Sequence, residues 1–420
     1  MITNQLQKLN TFLSLPSCPS YIFTGKVYKM KKIAFFTEIL IADYDGASRT
    51  MFQLIERIDP TLFDYLFVYG NGPEQFRDFK SYKVPTFRIP VNEDYCLAIP
   101  HLIKTKLETT LDNFAPEVIH ITTPSLLGFF ALNYAKKRGI PVLTIYHTHF
   151  ISYIDYYFRN LAPLVKPTQH WIKKAMLSFY NRCGVTYVPT QSIADELSTI
   201  GIDTERIQIW PRGIDCELFT PLKRDCHYIQ HITGNTKPNI LFASRLVWEK
   251  NIKTLIAIYH RLAQEGLDYN LIIVGEGTAQ ATAMQEMPNA YFLGKKNHEQ
   301  LSRLYASADA FVFTSTSETY GNVVVEAMAS GLPCVIADGG GSASLVQHGI
   351  SGFKCSPQNP LEYVYFLRSV IEDSSLRSKF KKEGLQFVSR LDWNRLSQQY
   401  FLDIQQLALQ KHSSGLAWAN

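Results

Sequence analysis

The chain has 420 residues, 46% hydrophobic and 19% charged, which excludes a disordered polypeptide and exceeds what one hydrophobic core usually organises, so two domains are expected. Its net charge of +5 is too weak alone to argue for nucleic acid, and no nucleic-acid partner is expected; the charge suits an anionic ligand or an anionic membrane face. Seven cysteines, odd in number and without a C-x-x-C pair, read as reduced thiols in a cytoplasmic protein, not as a disulfide frame or a zinc site.

Residues 1–29 carry Lys8, Lys26 and Lys29, no Asp, Glu or Arg, and no compact apolar core before a small-residue cleavage site. They read as a loose extension, and Met30 could be the original start because the first strand follows at once. No apolar run reaches the roughly eighteen residues that a membrane helix needs.

From Lys32 the pattern is strand, turn, helix. "KIAFFTEI" is a strand and "ADYDG" a turn. "ASRTMFQLIERI" places Ala47, Met51, Leu54, Ile55 and Ile58 on one helical face. "FDYLFVYG", "EVIHIT" and "PVLTIYHT" are further strands, the last two flanking a helix around "LLGFFALNYAKKRG". Apolar strands alternating with helices predict a parallel sheet covered on both faces. The pattern restarts after "IWPRGIDCELFTP", a boundary rich in Pro, Gly and Asp. "NILFASR", "YNLIIVGEG", "AYFLG", "AFVFTST" and "PCVIAD" are strands, with helices at "NIKTLIAIYHRLAQEG", "HEQLSRLYASA" and the segment from Asn322. The tail "WNRLSQQYFLDIQQLALQ" is one more amphipathic helix. The expected segments are 1–29, 30–212, 213–392 and 393–420, the last packing back on the first domain. The fold class is α/β, two doubly wound domains facing a central cleft, with ligands beyond the carboxyl ends of the strands.

At those strand ends lie the informative residues. "SETYGNVVVEAMASG" puts Gly321 at a tight turn, so the N–H groups of Asn322, Val323 and Val324 would point into the cleft as a phosphate site. Glu318 lies on the preceding loop and Glu326 about one turn into the helix, where carboxylates suit hydroxyls such as those of a ribose. The same spacing also fits a helix cap and a buried, hydrogen-bonded glutamate. "FASRLVWEKN" brackets a loop with Arg245 and Lys250. The helix dipole disfavours a cation at the helix start unless an anion sits between them; solvated surface cations are the alternative. Arg245, Lys250 and the Asn322 helix end together describe a diphosphate cradle.

Other motifs are weaker. Gly275 and Gly277 of "VGEGTAQ" begin a dinucleotide fingerprint, but position 280 is Gln. Asp43 and Asp45 of "DYDG" form a D-x-D that some transferases use for a divalent metal, and equally what a surface turn uses. His147 and His149 of "YHTHF" face the same way at a strand end. A metal would lack a third ligand at a telling spacing, whereas one histidine could bond a ligand from across the cleft.

The motifs "YHTHF", "WPRGID", "ASRLVWEKN", "VGEG", "FLG" and "SETYGNVVVEAMASGLPCV", in this order, resemble the family 4 retaining glycosyltransferases over about residues 30–410. "DGASRT" with "YHTHF" looks most like the branch of sulfoquinovosyl- and mannosyltransferases. The resemblance implies the GT-B arrangement of two Rossmann-like domains, the first binding an acceptor and the second a nucleotide sugar. It implies Arg245 and Lys250 on the donor diphosphate, Glu326 on the ribose, and Glu318 by the donor sugar. Backbone from Gly321 through Asn322 to Val323 would meet sugar and phosphate, with Gly275 lining the donor site. Gly46 would close over phosphate or acceptor, and Lys295 backbone would meet the base. One histidine of "YHTHF", His147 by the closest pattern match with His149 the other candidate, would contact the donor sugar near the reacting carbon.

These roles describe transfer of a hexosyl unit from UDP- or GDP-hexose to a lipid or saccharide, without a metal or other cofactor because Arg245 and Lys250 supply the charge. "YIDYYFRNLAPLVKPTQHWIKKAMLSFYNR" mixes Arg159, Lys166, Lys173, Lys174 and Arg182 with aromatics, as a segment lying on the inner face of an anionic membrane would; a half-buried helix pair is the alternative. Two rivals are a non-catalytic sugar-binding protein of the same fold, which predicts a lost cation or glutamate, and a glycoside hydrolase, which has no use for a diphosphate cradle.

Overall fold

The computed structural model describes residues 29–42, 44, 46–88, 96–147 and 162–413, with backbone alone at 162–170 and 410–413. The first lobe runs β1 (Lys31–Ile39), α1 (Gly46–Ile55), β2 (Phe63–Asn71), β3 (Lys80–Lys83), the hairpin β4 (Thr86–Arg88) and β5 (Cys96–Ala98), and α2 (Lys104–Phe114). It continues through β6 (Val118–Ile121), α3 (Leu126–Arg138), β7 (Val142–Ile145), α4 (Ala162–Tyr180), β8 (Val185–Val188), α5 (Gln191–Thr199) and β9 (Ile207–Ile209). Seven parallel strands form its sheet in the order β3-β2-β1-β6-β7-β8-β9.

Strand β1 shows why both faces are covered. Ile33 and Phe35 enter one apolar cluster, and Ala34 and Phe36 enter another on the opposite face, as a two-residue period requires. Helix α3 has a Ser125 cap whose hydroxyl accepts the Gly128 N–H at 3.1 Å, and it ends at Gly139 with φ 61°. Helix α1 buries Met51, Leu54 and Ile55 together with Phe52, but stops at Ile55, so Ile58 falls beyond it. Pro60 restricts the residue before it and opposes a longer helix.

The second lobe contains α6 (Cys226–Thr233), β10 (Asn239–Ala243), α7 (Ile252–Gln264), β11 (Asn270–Val274), α8 (Gln280–Glu286), β12 (Tyr291–Phe292), α9 (His298–Ser307) and β13 (Ala310–Phe313). Then come α10 (Asn322–Ala329), β14 (Cys334–Ala337), β15 (Gly352–Cys355), α11 (Pro360–Glu372) and α12 (Ser374–Val388). Its six parallel strands are ordered β12-β11-β10-β13-β14-β15. Numbered within the lobe, that is 3-2-1-4-5-6, the Rossmann order, whose switch point lies between β10 and β13.

Helix α13 (Trp393–Ser413) covers the first sheet, not the second. Trp393, Leu396, Tyr400, Ile404 and Leu407 share a cluster with Ile33, Phe35, Val118 and Leu143. Polar anchors fix its position: Tyr400 Oη is 2.8 Å from His120 Nδ1, Trp210 Nε1 donates to the Leu396 carbonyl at 3.0 Å, and the Tyr187 hydroxyl donates to Asp403. The six described cysteines are all unpaired. Among the described residues no helix is long and apolar enough to cross a membrane.

Candidate active site

The loops after β10 and β13 meet at the switch point of the second sheet. Asn251, at φ 55°, donates through its side chain to the Thr314 carbonyl at 3.2 Å, and the Thr314 hydroxyl donates to the Lys250 carbonyl at 3.1 Å. Each loop therefore fixes the other. Lys250 is buried, and its ammonium lies 2.8 Å from Glu318 Oε1 and donates to Ser317 Oγ at 3.1 Å. A charge this deep needs partners, and it has two at the mouth of helix α10.

Helix α10 starts after Gly321, whose φ is 95°. A β-carbon on Gly321 would lie 2.7 Å from Ser342 Cβ, so glycine is required by both conformation and space. The N–H groups of Asn322 and Val323 have no acceptor among the described residues, whereas Val324 N–H is taken by the Gly321 carbonyl at 2.9 Å. Two donors, not the expected three, are thus available to an anion. The first hydrogen bond of the helix consumes the third.

Glu326 is buried one turn into α10 and accepts from the Tyr305 hydroxyl at 3.2 Å. Burial pushes its carboxyl up to about 7, against the opposing pull of the Arg49 guanidinium and the Tyr305 hydroxyl. Arg49 comes from α1 in the other lobe, and its Nη1 lies 2.7 Å from His298 Nε2 at the start of α9. Glu326 therefore faces the cleft, where the first lobe reaches it.

Arg245 stands apart from Lys250. Its side chain is 63% exposed and pairs with Glu249 at 2.8 Å. The strand stops at Ala243, two residues before Arg245, because the loop leaves the sheet to contact "VGEG". There Leu246 N–H donates to the Glu276 carbonyl at 2.8 Å. Gly275 and Gly277 sit under this loop: β-carbons there would meet the Ser244 and Leu246 carbonyls at 1.8 and 2.4 Å. That close approach of two backbones gives the glycine pair a purpose without any dinucleotide. The exposed Lys295 follows β12, and its N–H donates to Glu276 Oε1 at 3.2 Å.

From the first lobe, Gly46 opens α1 against α10: a β-carbon on it would lie 3.7 Å from Asn322 Nδ2. His147 lies just past β7, buried, with neither ring nitrogen hydrogen-bonded among the described residues. Burial, then the Arg212 guanidinium and His120, hold its pKa well below the usual histidine value, so the ring is neutral. His149, Asp43 and Asp45 lie outside the described residues. Among the described residues no group of three His, Cys, Asp or Glu could hold a metal ion.

The structure thus brings Lys250, Ser317, Glu318 and the α10 N-terminus together, with Glu326 one turn behind and Gly46 opposite. Sequence reading missed Arg49, Arg212 and Tyr305. Arg49 and Arg212 lie inside quoted motifs, "DGASRT" and "WPRGID", but only the folded cleft shows what they face.

Two family patterns match consecutive parts of the chain: Glycosyltransferase Family 4 over residues 44–218 and Glycosyl transferases group 1 over residues 229–387. The chain is 28% identical over 382 residues to a GDP-mannose-dependent alpha-mannosyltransferase of Corynebacterium glutamicum, covering 89% of this chain and 88% of that protein. It is 29% identical over 378 residues to the sulfoquinovosyl transferase SQD2 of Arabidopsis thaliana, covering 87% and 71%. In fold it is similar to Anabaena Alr3699/HepE, solved in complex with UDP and glucose, with a TM-score of 0.69 at 20% identity over 90% of this chain and 100% of that one.

Proposed function

The chain belongs to the family 4 glycosyltransferases and is a nucleotide-sugar-dependent enzyme, and from that premise we propose that it is a retaining, metal-independent hexosyltransferase acting from a UDP- or GDP-sugar on a lipid or saccharide acceptor. The single observation that carries the reading is the buried Lys250 ammonium, 2.8 Å from Glu318 at the open N-terminus of α10. A nucleotide sugar breaks when its diphosphate leaves. Negative charge then grows on the bridging oxygen and positive charge on the sugar ring. A fixed ammonium and two N–H donors stabilise that departing oxygen more than the ground state. Arg245 joins the diphosphate by exchanging Glu249 for it. These charges do the work of a divalent metal.

Glu326 accepts from the ribose hydroxyls. Glu318 lies by the donor sugar, and the neutral His147 ring meets a sugar hydroxyl near the reacting carbon. The leaving phosphate takes the acceptor's proton in a same-face attack, which retains configuration. The Corynebacterium relative's name makes GDP-mannose the first donor to try. Helix α4 exposes Trp171, 77% accessible, with Lys173 and Lys174, while Met176 and Phe179 face the core. That division supports docking on an anionic membrane surface.

Purified enzyme incubated with GDP-mannose, UDP-glucose or UDP-galactose and a diacylglycerol or saccharide acceptor should release nucleoside diphosphate in EDTA. Loss of transfer in EDTA and its return with Mg²⁺ would turn attention to Asp43 and Asp45. Sedimentation with anionic liposomes at low salt tests the membrane contact.

A further inference from the structure

Arg212 is a further cation at the cleft, beside Gly46 and His147. Its backbone is held from both sides. The Tyr320 hydroxyl donates to the Arg212 carbonyl at 3.0 Å, and a β-carbon on the next residue, Gly213, would lie 2.5 Å from Trp393 Cδ2. The guanidinium is placed with similar care. Its Nη2 donates to the His147 carbonyl at 3.3 Å, it lies 5.8 Å from the Tyr320 ring centre, and its Nη1 is 3.3 Å from where a β-carbon of Gly46 would stand.

That last distance sets the guanidinium against the N-terminus of α1, and Asn322 at the N-terminus of α10 is adjacent. Both helix ends are positive, so an anion entering the cleft meets three positive features at one point. A second observation identifies what accompanies the anion. His147, 6% exposed, has both ring nitrogens without a partner among the described residues. Buried polar atoms of this kind are costly unless something pairs with them. The point therefore fits a phosphate on one side and hydroxyl groups on the other, as at the junction of a sugar and its phosphate.

Resting on the donor reading above, we propose that Arg212 binds the sugar-side phosphate of the nucleotide sugar from the first lobe, opposite Lys250. The first lobe thus supplies one side of the diphosphate site, since the guanidinium stands beside Gly46 and Asn322. The residue holds the departing phosphate and contributes to turnover as well as to binding.

The test compares affinities for GDP and GMP, and for UDP and UMP, by calorimetry in wild type, Arg212→Ala and Arg212→Lys. Arg212→Lys keeps a charge for folding but loses the planar fork. The expected result for Arg212→Ala is about 10- to 100-fold weaker binding of the diphosphate, the worth of a charged hydrogen bond, with monophosphate binding nearly unchanged. Arg212→Lys should fall between. Equal losses for both nucleotides, or none, would overturn the assignment. So would an intact diphosphate affinity with a raised KM for acceptor, which would make the phosphate the acceptor's. Wild type that binds neither diphosphate would overturn the donor reading itself.

Discussion

Lys250 Nζ and Glu318 Oε1 are 2.8 Å apart, yet the two ends of this pair are unequally buried, 5% exposed for the lysine side chain and 26% for the glutamate. Removing one partner is therefore not equivalent to removing the other. Glu318→Ala strands a buried ammonium and should cost about 3 kcal/mol, whereas Lys250→Ala leaves a carboxylate that water can reach and should cost much less. Activity should not follow that order. Lys250→Ala should lower turnover by ~10²–10³ as a lost preorganised donor, and Glu318→Ala by at least as much. Urea titrations beside steady-state rates check both. Wild-type turnover in Lys250→Ala would remove the cradle.

Glu326 gives a pH prediction with a definite sign. Burial raises its carboxyl from 4.5 to about 7, with Arg49 and Tyr305 opposing. Between those values the folded chain holds a proton that the unfolded chain has released. Its contribution to stability is therefore full below about pH 4.5 and lost as pH rises to about 7. Glu326→Gln should flatten this slope. Ribose hydroxyls donate to the ionised form, so nucleotide binding should expel the proton, and affinity should rise with pH up to about 7 and then level. Calorimetry at pH 5.5 to 8 in two buffers of different ionisation heat measures the released proton. An affinity that falls over this range would remove Glu326 from the ribose.

How much of this was legible beforehand follows from what each signal depends on. Most inner strands were readable because parallel strands buried on both faces are continuous apolar runs, as "NILFA" and "AFVF" show, whereas the inner strand β8, "VTYV", was missed because its short run is broken by a threonine. The edge strands β3, "KSYK", and β9, "IQI", carry too little apolar surface to stand out. Gly321 and Lys250 were readable because a turn glycine and a cation at a helix start are local facts. Arg49 reaching Glu326 and Arg212 reaching Gly46 were not. Each depends on the approach of two lobes, and no spacing along the chain encodes it.

The loop around Gly321 offers a comparison of two glycines with similar backbone strain and different surroundings. Gly321 has φ 95° and would set a β-carbon 2.7 Å from Ser342 Cβ; Gly349 has φ 72° and nothing within 4 Å. Both alanine variants should lose roughly 1–3 kcal/mol for the conformation. Only Gly321→Ala must also shift the start of α10, and a displacement near 1 Å there should cost ~10² in turnover. Rates measured beside melting temperatures separate the two effects. Equal turnover in both variants would mean that the α10 N-terminus does not touch the donor.

Tyr400 tests whether α13 is part of the first lobe's core or a covering strap. Its hydroxyl is 2.8 Å from His120 Nδ1 and 3.4 Å from the Tyr65 hydroxyl, all three groups being buried. Burial holds His120 down at about 3, so the ring is neutral and needs a partner for Nδ1 at every pH at which the enzyme works. Tyr400→Phe keeps the packing and deletes only that partner. The orphaned nitrogen should cost about 1–3 kcal/mol. The denaturant midpoint should fall with an unchanged m value, because the surface exposed on unfolding is the same. Turnover at low temperature should hold, since the partners of Tyr400 among the described residues, His120, Tyr65 and Phe401, lie in the core of the first lobe. If the helix were a strap that detaches before the lobe unfolds, its loss would instead appear as a separate early transition, insensitive to the phenylalanine.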